Sequence, residues 1–260
     1  MIHPTAVIDP DAQLGQEVEV GPYTFIGPKV TIGDRCRIES HVQIASHVRM
    51  GNGSRVSSFA SLGAPPQDIK YKGEDTWVEI GEGAMIREYV TVNRATPHAT
   101  GVTRVGNGAM LMAYCHVAHD CRIGNKVVIA NGTMLAGHVE IGDSAVIGGM
   151  VGVHQFVRIG EYAMVGGMSA VVKDIPPFVI AAVGRERKGS SLFGLNLIGL
   201  KRNRFSAEAV SALKKAYQIL FRSGAPMGEA VSRVEAEVEL ITEVKRLLEF
   251  IKASKRGITR

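Results

Sequence analysis

The segment Ala113-Tyr114-Cys115-His116-Val117-Ala118-His119-Asp120-Cys121 lies in the middle of residues 105–176, where an aliphatic residue returns at every sixth position. A six-residue period fits neither an amphipathic helix, with a period of about 3.6, nor an alternating strand, with a period of about 2. It is the hexapeptide period of a parallel β-helix. The segment 105–176 also contains half of the eight histidines of the chain, namely His116, His119, His138 and His154.

The same period begins at Ile2 and gives 26 repeats in total, of which 25 carry Ile, Leu or Val at the first position. The fifth position is almost always small, and the second is often glycine. We expect the aliphatic residue to point inward, the small residue to fit a narrow interior, and glycine to relieve the backbone at the corners. Three hexapeptides make one coil of a three-sided prism, and neighbouring coils pair as parallel strands about 4.8 Å apart.

Two interruptions and a stop divide the chain. The period skips 12 residues between Leu62 and Ile80 and seven between Val92 and Val105, which predicts loops at 68–79 and 98–104. It ends near Pro177. The sequence therefore predicts a mainly β protein, with a β-helix over 1–177, a polar linker over 178–192 and a C-terminal α-helical domain over 193–260. Three helices are expected in that domain, the first capped by Ser206, the second starting near Met227 and the third capped by Thr242.

The composition of the 260-residue chain narrows the functional classes. Three cysteines without a C-x-x-C pair favour a reducing compartment, and we expect a cytoplasmic protein. No apolar run is long enough to predict a membrane span. The net charge of +5 and the pI of 9.2 suit an acidic partner. Nucleic acid is not expected to be that partner, because the basic residues are scattered and only 6% of residues are aromatic.

Residues 18 apart stack on successive coils, so columns of side chains can be read from the sequence. One column predicts an acid–base site, with His119 as general base, Asp120 as its orienting partner and the Gly137 N–H as oxyanion donor. The two columns are His119, Gly137, Gln155 and Lys173, and, beside it, Asp120, His138 and Phe156.

Two other readings of these residues were weighed. Isolated histidines on a β-helix are usually solvated surface groups, and histidine is also a common zinc ligand. The spacing His116-x-x-His119 does not fit the three-histidine zinc site of a hexapeptide-fold hydratase, so no metal and no cofactor are expected. The three cysteines occupy the small fifth position, which predicts burial and argues against a covalent acyl-cysteine intermediate.

Several segments resemble one known family, the UDP-N-acetylglucosamine O-acyltransferases of lipid A biosynthesis. Residues 116–121 (HVAHDC) and 67–74 (QDIKYKGE) are the most specific. Residues 135–139 (LAGHV), 153–156 (VHQF), 193–196 (FGLN) and 199–202 (GLKR) are also similar, so the resemblance spans essentially the whole chain. At residues 198 and 203, however, the sequence has Ile198 and Asn203, where a glutamate and an arginine are typical, and the segment before Phe193 is longer.

The resemblance implies a homotrimer of left-handed β-helices with the active site between two subunits. It implies transfer of a 3-hydroxyacyl chain from acyl carrier protein to the 3-hydroxyl of UDP-N-acetylglucosamine, without metal or covalent intermediate. His119, Asp120 and Gly137 take the catalytic roles given above, and Gly167 with Met168 limits the acyl-chain length. The residues implied in substrate binding are Gln67, Asp68, Lys70, His116, His138, His154, Gln155, Asn196 and Arg202.

Three alternatives stay open from the sequence. The acceptor could be the 3-amino analogue of the sugar, because the same base would serve either nucleophile. A metal-dependent hydratase of the hexapeptide fold would instead carry stoichiometric zinc. A non-enzymatic scaffold is the third, since β-helices also serve as rigid spacers.

Overall fold

The computed structural model describes residues 1–183 and 190–260, and over these residues it has 27 strands and four helices. The strands form three sheets, and each strand pairs in parallel with the strands one coil before and one coil after it. The sheets are the three faces of a prism. The predicted fold class, a left-handed parallel β-helix followed by helices, is confirmed.

The three faces are named here in the order in which the chain visits them. Face 1 contains β1 (Val7–Ile8), β4 (Phe25–Ile26), β7 (Gln43–Ile44), β10 (Ser61–Ala64), β13 (Thr91–Asn93), β16 (His116–Val117), β19 (Met134–Leu135), β22 (Gly152–Val153) and β25 (Ala170–Val171). Face 2 contains β2 (Gln13–Leu14), β5 (Val30–Ile32), β8 (Val48–Met50), β11 (Trp77–Ile80), β14 (Val102–Val105), β17 (Arg122–Ile123), β20 (Glu140–Ile141) and β23 (Arg158–Ile159). Face 3 contains β3 (Glu19–Val20), β6 (Arg37–Ile38), β9 (Arg55–Val56), β12 (Met85–Ile86), β15 (Met110–Leu111), β18 (Val128–Ile129), β21 (Val146–Ile147), β24 (Met164–Val165), β26 (Val179–Val183) and β27 (Ser190–Leu195).

The interior of the prism follows the hexapeptide pattern. First-position aliphatics such as Leu111 and Ile129 are fully buried, and fifth-position residues such as Ala145 fill the space between them. The three cysteines are buried in the same layer. Burial raises the pKa of each thiol, in the case of Cys121 to about 12, so none is poised as a nucleophile. The burial predicted for them is confirmed.

The second-position glycines serve a purpose different from the one expected. Their backbone lies against the next coil, so a Cβ added at Gly142 would lie 2.5 Å from the backbone nitrogen of Glu161. The backbone at the corners is relieved elsewhere, by left-handed residues at the fourth position, and most of these are not glycine. Asp120 and His138, each with φ of 61°, are two of them. The prediction about glycine was therefore wrong, because spacing between coils, and not φ, requires it.

The two loops have the predicted lengths but begin earlier. Leu62 pairs with Val92, 30 residues on, and Val92 pairs with Val117, 25 residues on, so 12 and seven residues are inserted into a coil of 18. The first loop covers residues 65–76 and the second residues 94–101, because β11 and β14 resume pairing on face 2 before each predicted loop would end. The first-position aliphatic marks a register, and it does not mark where a strand starts.

The expected linker over 178–192 is partly a β-hairpin, which corrects that prediction. β26 pairs with β24 in parallel and with β27 in antiparallel orientation. The apolar residues of β26 extend face 3 by one strand, and that gain outweighs the polar character of the segment that follows. The predicted linker residues 184–189 lie outside the described residues.

The helical domain consists of α1 (Leu197–Arg202), α2 (Ala207–Arg222), α3 (Met227–Glu237) and α4 (Thr242–Lys252). The Ser206 hydroxyl accepts from the Ala209 N–H and caps α2 as predicted. Thr242 is the first residue of α4, with Ile241 in the cap position, so the predicted third cap is wrong by one residue. Helix α1 was not expected from the sequence. Helix α4 packs on face 2, where the Arg246 guanidinium lies 3.1 Å from the Glu161 carboxylate.

Candidate active site

His119 and Asp120 lie at the corner between face 1 and face 2. The His119 Nδ1–H donates to Asp120 Oδ2 at 2.9 Å, which fixes the ring and leaves the lone pair on Nε2. The Asp120 side chain is 1% exposed and that of His119 is 19% exposed. A buried carboxylate therefore orients a ring that reaches the surface, which is the arrangement a general base needs.

The second loop holds the carboxylate of Asp120. Both the N–H and the hydroxyl of Thr96 donate to Asp120 Oδ2, at 3.1 and 2.7 Å, and the Thr103 hydroxyl accepts from the Asp120 N–H at 2.9 Å. Asp120 Oδ1 is buried without a hydrogen-bond partner among the described residues. Loop 94–101 thus supports the site, although its sequence reads as an ordinary solvated loop.

The backbone of Gly137 lies directly beneath the imidazole of His119. A Cβ at this position would be 2.5 Å from Cε1 and 2.7 Å from Nε2 of the ring, so only glycine fits. The stacking of the two coils is confirmed by the His138 N–H, which donates to the His119 carbonyl at 3.0 Å. At the corner between faces 2 and 3, the corresponding N–H of Asn125 donates to a carboxylate. The Gly137 N–H has no acceptor among the described residues, and it is therefore available to an oxyanion.

A cleft of about 530 Å³ opens on face 1 beside this corner. It brings together five of the predicted site residues, namely Gln67, His116, His119, Gly137 and His154. The rest of its lining is mostly apolar and includes three residues that sequence reasoning missed, Asn93, Met134 and Gly152. Met134 and Gly152 pair with His116 on successive coils. The same 18-residue arithmetic, started from His116, would have found them.

His138 faces the other side of the corner. It lines a second cavity on face 2, of about 610 Å³, together with Asp120 and Phe156. The rings of His138 and Phe156 stack with centroids 4.4 Å apart, as their shared column predicts. Burial lowers the pKa of His138 and that of His116, which favours uncharged rings at neutral pH. His116 is further fixed by the Thr91 hydroxyl, 2.7 Å from its Nδ1.

The remaining predicted residues lie outside both cavities of the single chain. The Asp68 carboxylate accepts from the Lys70 N–H within loop 65–76. The Asn196 amide caps α1, and its Nδ2 donates to the Tyr162 carbonyl at 2.9 Å. Those not brought to His119 by one chain are Asp68, Lys70, Gln155, Gly167, Met168, Asn196 and Arg202. Their roles stay predictions.

One group of side chains in the described residues has the geometry to be considered for a metal, and it is His119, Asp120 and His138. The chemistry of the donors argues against such a use. Asp120 Oδ2, the oxygen nearest both rings, already accepts two hydrogen bonds from Thr96 and one from His119. The hydrogen bonds instead suit a base that is oriented by a carboxylate.

Comparison with known proteins decides the family. A family model described as UDP-N-acetylglucosamine O-acyltransferase, domain 2, matches residues 174–259, and a bacterial transferase hexapeptide model matches residues 103–137. The chain is 51% identical to the acyl-[acyl-carrier-protein]–UDP-N-acetylglucosamine O-acyltransferase of Thermodesulfovibrio yellowstonii over 81% of this chain and 80% of that protein. The chain belongs to the UDP-N-acetylglucosamine O-acyltransferase family.

Relatives of this family match the chain from end to end. The protein of the same name from Janthinobacterium is 47% identical over 100% of this chain and 99% of its own length. The solved UDP-N-acetylglucosamine acyltransferase of Bacteroides fragilis is 44% identical, covers 100% of both chains and superposes with a TM-score of 0.96. The family resemblance drawn from residues 67–74 and 116–121 is thus confirmed. In the part of the chain that the structure describes, no helix is long and apolar enough to cross a membrane.

Proposed function

We propose that the protein transfers a 3-hydroxyacyl chain from acyl carrier protein to the 3-hydroxyl of UDP-N-acetylglucosamine. The relatives' names supply the two substrates. The observation that carries the proposal is the His119 ring, held by Asp120 through Nδ1 with its Nε2 lone pair free, above an unused Gly137 N–H. A base and an oxyanion donor within one turn of each other suit acyl transfer without a covalent intermediate.

The proposed reaction has two steps. His119 Nε2 takes the proton of the sugar hydroxyl while its oxygen bonds to the thioester carbonyl carbon, and the negative charge on the carbonyl oxygen is held by the Gly137 N–H. The carbon–sulfur bond then breaks, and the departing thiolate of the carrier takes the proton from His119. Asp120 keeps the ring in one tautomer and stabilises the imidazolium formed between the steps.

The cleft on face 1 suits the acyl chain. Its floor is formed by Ala118, Met134, Val153 and Val171, which offer apolar surface and no charge. Gly167 and Met168 belong to the corner between faces 3 and 1, at the far edge of the same face. We propose that they limit the chain length, with the glycine leaving room for a long chain.

The exposed apolar surface supports a homotrimer. A column of stacked rings runs along the corner between faces 3 and 1, with successive centroids 4.8–5.1 Å apart, and most of its rings are about half exposed. This aromatic column consists of Tyr23, His41, Phe59, Tyr89 and Tyr114. Face 2 instead carries ion pairs such as Arg104–Glu79. We propose that faces 1 and 3 of neighbouring copies meet at the aromatic column and that a partner copy completes the cleft. In that arrangement Asn196, Arg202 and loop 65–76 serve a neighbour's site.

The decisive experiment is an acyl-transfer assay that crosses the 3-hydroxyl and 3-amino sugars with hydroxyacyl carrier proteins, with and without a chelator. Transfer to UDP-N-acetylglucosamine that is unaffected by chelation supports the proposal. Activity that is lost on chelation and restored by zinc would point to the hydratase, and retained function in cells of His119→Ala would point to a scaffold.

The shared site is tested by mixing subunits. His119→Ala and Asp68→Ala chains are each expected to be inactive, and mixed trimers should recover activity if the two residues serve one site from different copies. No recovery in confirmed mixed trimers would contradict that arrangement. The free buried cysteines suit the cytoplasm, where we propose that the reaction takes place.

A further inference from the structure

The cavity on face 2 is basic as well as close to the catalytic corner. Its volume is about 610 Å³, and loop 94–101 and the C-terminal tail border it. From the corner come Asp120, His138 and Phe156, and from the surrounding surface come the cations Arg122, Lys255 and Arg256. The proposed reaction assigns no role to these three cations.

The acidic groups in the cavity wall are already satisfied. Glu140 lies 3.5 Å from the Arg158 guanidinium. Asp174 accepts from the Arg158 N–H and the Ser254 hydroxyl, and Asp120 accepts from His119. Within residues 1–183 and 190–260, no carboxylate lies within 4.0 Å of the charged groups of Arg122, Lys255 or Arg256. The cavity therefore carries a net positive charge that the protein does not neutralise.

The C-terminal tail is built into this wall. The next coil would normally donate the Asp174 N–H to the Gln155 carbonyl, but the Asp174 N–H donates to the Gly257 carbonyl at 3.0 Å. The Ser254 hydroxyl donates to the Asp174 carboxylate at 2.7 Å, and the Thr259 N–H donates to the Asp174 carbonyl at 2.9 Å. A buried acid thus fixes residues 254–259 at the end of the catalytic column. Arg256 is also held there, because its Nε–H donates to the Val172 carbonyl at 3.4 Å.

We propose that this cavity binds a phosphate ester of one of the two substrates, with Arg122, Lys255 and Arg256 as its ligands. The inference rests on the proposed function. The apolar cleft on face 1 suits the acyl chain, whereas both the sugar nucleotide and the prosthetic arm of the carrier bring phosphate to the same corner. Guanidinium and ammonium groups bind phosphate through charge-assisted hydrogen bonds. The exposed ring of Phe156 gives the apolar part of either substrate a surface to lie on.

The test compares three single variants, Arg122→Gln, Lys255→Gln and Arg256→Gln, with the control Lys245→Gln. Lys245 is an exposed cation of α4 that does not line the cavity. Each cavity variant should raise the KM of one substrate by about tenfold, the scale of one charge-assisted hydrogen bond, with kcat within about twofold. The control should match the wild type, and the difference should shrink at high salt.

Two donors and one product distinguish the source of the phosphate. If the carrier's arm is bound, acyl-phosphopantetheine should be used better than acyl-pantetheine by the wild type and no better by the variants. If the sugar nucleotide is bound, the inhibition constant of UDP should rise in the variants instead.

Equilibrium binding of UDP and of phosphopantetheine to the wild-type protein, measured by calorimetry, tests the cavity without catalysis. Unchanged KM, inhibition and binding constants in all three folded variants of an active enzyme would overturn the inference. A wild type that transfers no acyl group would instead overturn the proposed function.

Discussion

At the scale of single residues, one oxygen atom organises the site. Asp120 Oδ2 accepts from His119, from the Thr96 hydroxyl and from the Thr96 N–H, all within 3.1 Å. Two donors from a rigid loop hold the carboxylate ionised while it is buried, since hydrogen bonds to the charged form offset the cost of desolvation. The ring of His119 is therefore oriented by a charge that is itself fixed.

The first prediction concerns the base. His119→Ala should lower kcat about 10²–10⁴-fold, the usual contribution of general-base assistance, with an unchanged melting temperature because the ring packs at the surface. Asp120→Asn should cost less, since the base remains while its orientation and charge support are weakened. Steady-state kinetics with circular dichroism check both. A folded His119→Ala protein with more than a tenth of the wild-type rate would show that another group is the base.

The second prediction concerns the glycine under the ring. Gly137→Ala places a methyl group about where the imidazole lies. The ring must move by an ångström or more, and a misplacement of that size costs about 10²-fold in rate. The matched control is Gly149→Ala, whose Cβ meets only one carbonyl, 3.2 Å away on another corner. Equal activities for the two variants would contradict the assigned position of His119.

The third prediction concerns acyl-chain length. A side chain at Gly167 would start 3.1 Å from the Gly149 carbonyl, so it must point outward along the corner and across the proposed groove. Gly167→Met should shift the preference of the enzyme toward shorter hydroxyacyl donors, while leaving the fold intact. Relative kcat/KM over a donor series checks this, and an unchanged profile would place the limiting residue elsewhere.

At the scale of elements, the hexapeptide pattern predicted the coils closely but their ends poorly. Because each buried aliphatic occupies one fixed position per strand, the register of 26 repeats could be read from the sequence. The starts of β11 and β14 could not, since pairing on face 2 captures residues before the next aliphatic. The same reasoning fails for β26 and β27, where an antiparallel pair has no six-residue period.

The candidate site divides along the same line. His119, Asp120 and Gly137 follow one another by the coil repeat, so their meeting was predictable. Thr96 was not, because it reaches Asp120 from an inserted loop that has no register. Residues such as Asn196 and Arg202 lie away from the cleft of their own chain, and no periodicity within one chain can show what a neighbouring copy contributes.

The fourth prediction uses two glycines of the helical domain that have open space around them. Gly228 lies in the first turn of α3, and Gly224 follows α2 with φ of 78°. Gly228→Ala should stabilise the protein by roughly 0.5 kcal/mol through helix propensity and a less flexible unfolded chain. Gly224→Ala should destabilise it by about 1 kcal/mol, because alanine resists the left-handed conformation. Thermal or urea unfolding measures both, and equal signs would contradict the assigned conformations.

At the scale of the whole molecule, the fifth prediction concerns assembly. Tyr89 lies in the middle of the aromatic column, where a charge would be buried if faces 1 and 3 of neighbouring copies meet. Tyr89→Asp should therefore dissociate the trimer and abolish activity. Thr31→Asp, an exposed substitution on face 2, should leave both unchanged. Light scattering with sedimentation decides the matter, and an intact Tyr89→Asp trimer would place the interface elsewhere.

The coil repeat also governs which changes of length the protein can accept. Val30 pairs with Val48, one coil of 18 residues later, so deletion of residues 30–47 would shorten the rod by about 4.8 Å and leave every other side chain on its own face. Deletion of six residues would instead turn everything before it by a third of a revolution and carry the charged face onto the apolar one. Viable homologues should therefore differ in rod length by whole coils, whereas the two inserted loops can vary in length one residue at a time.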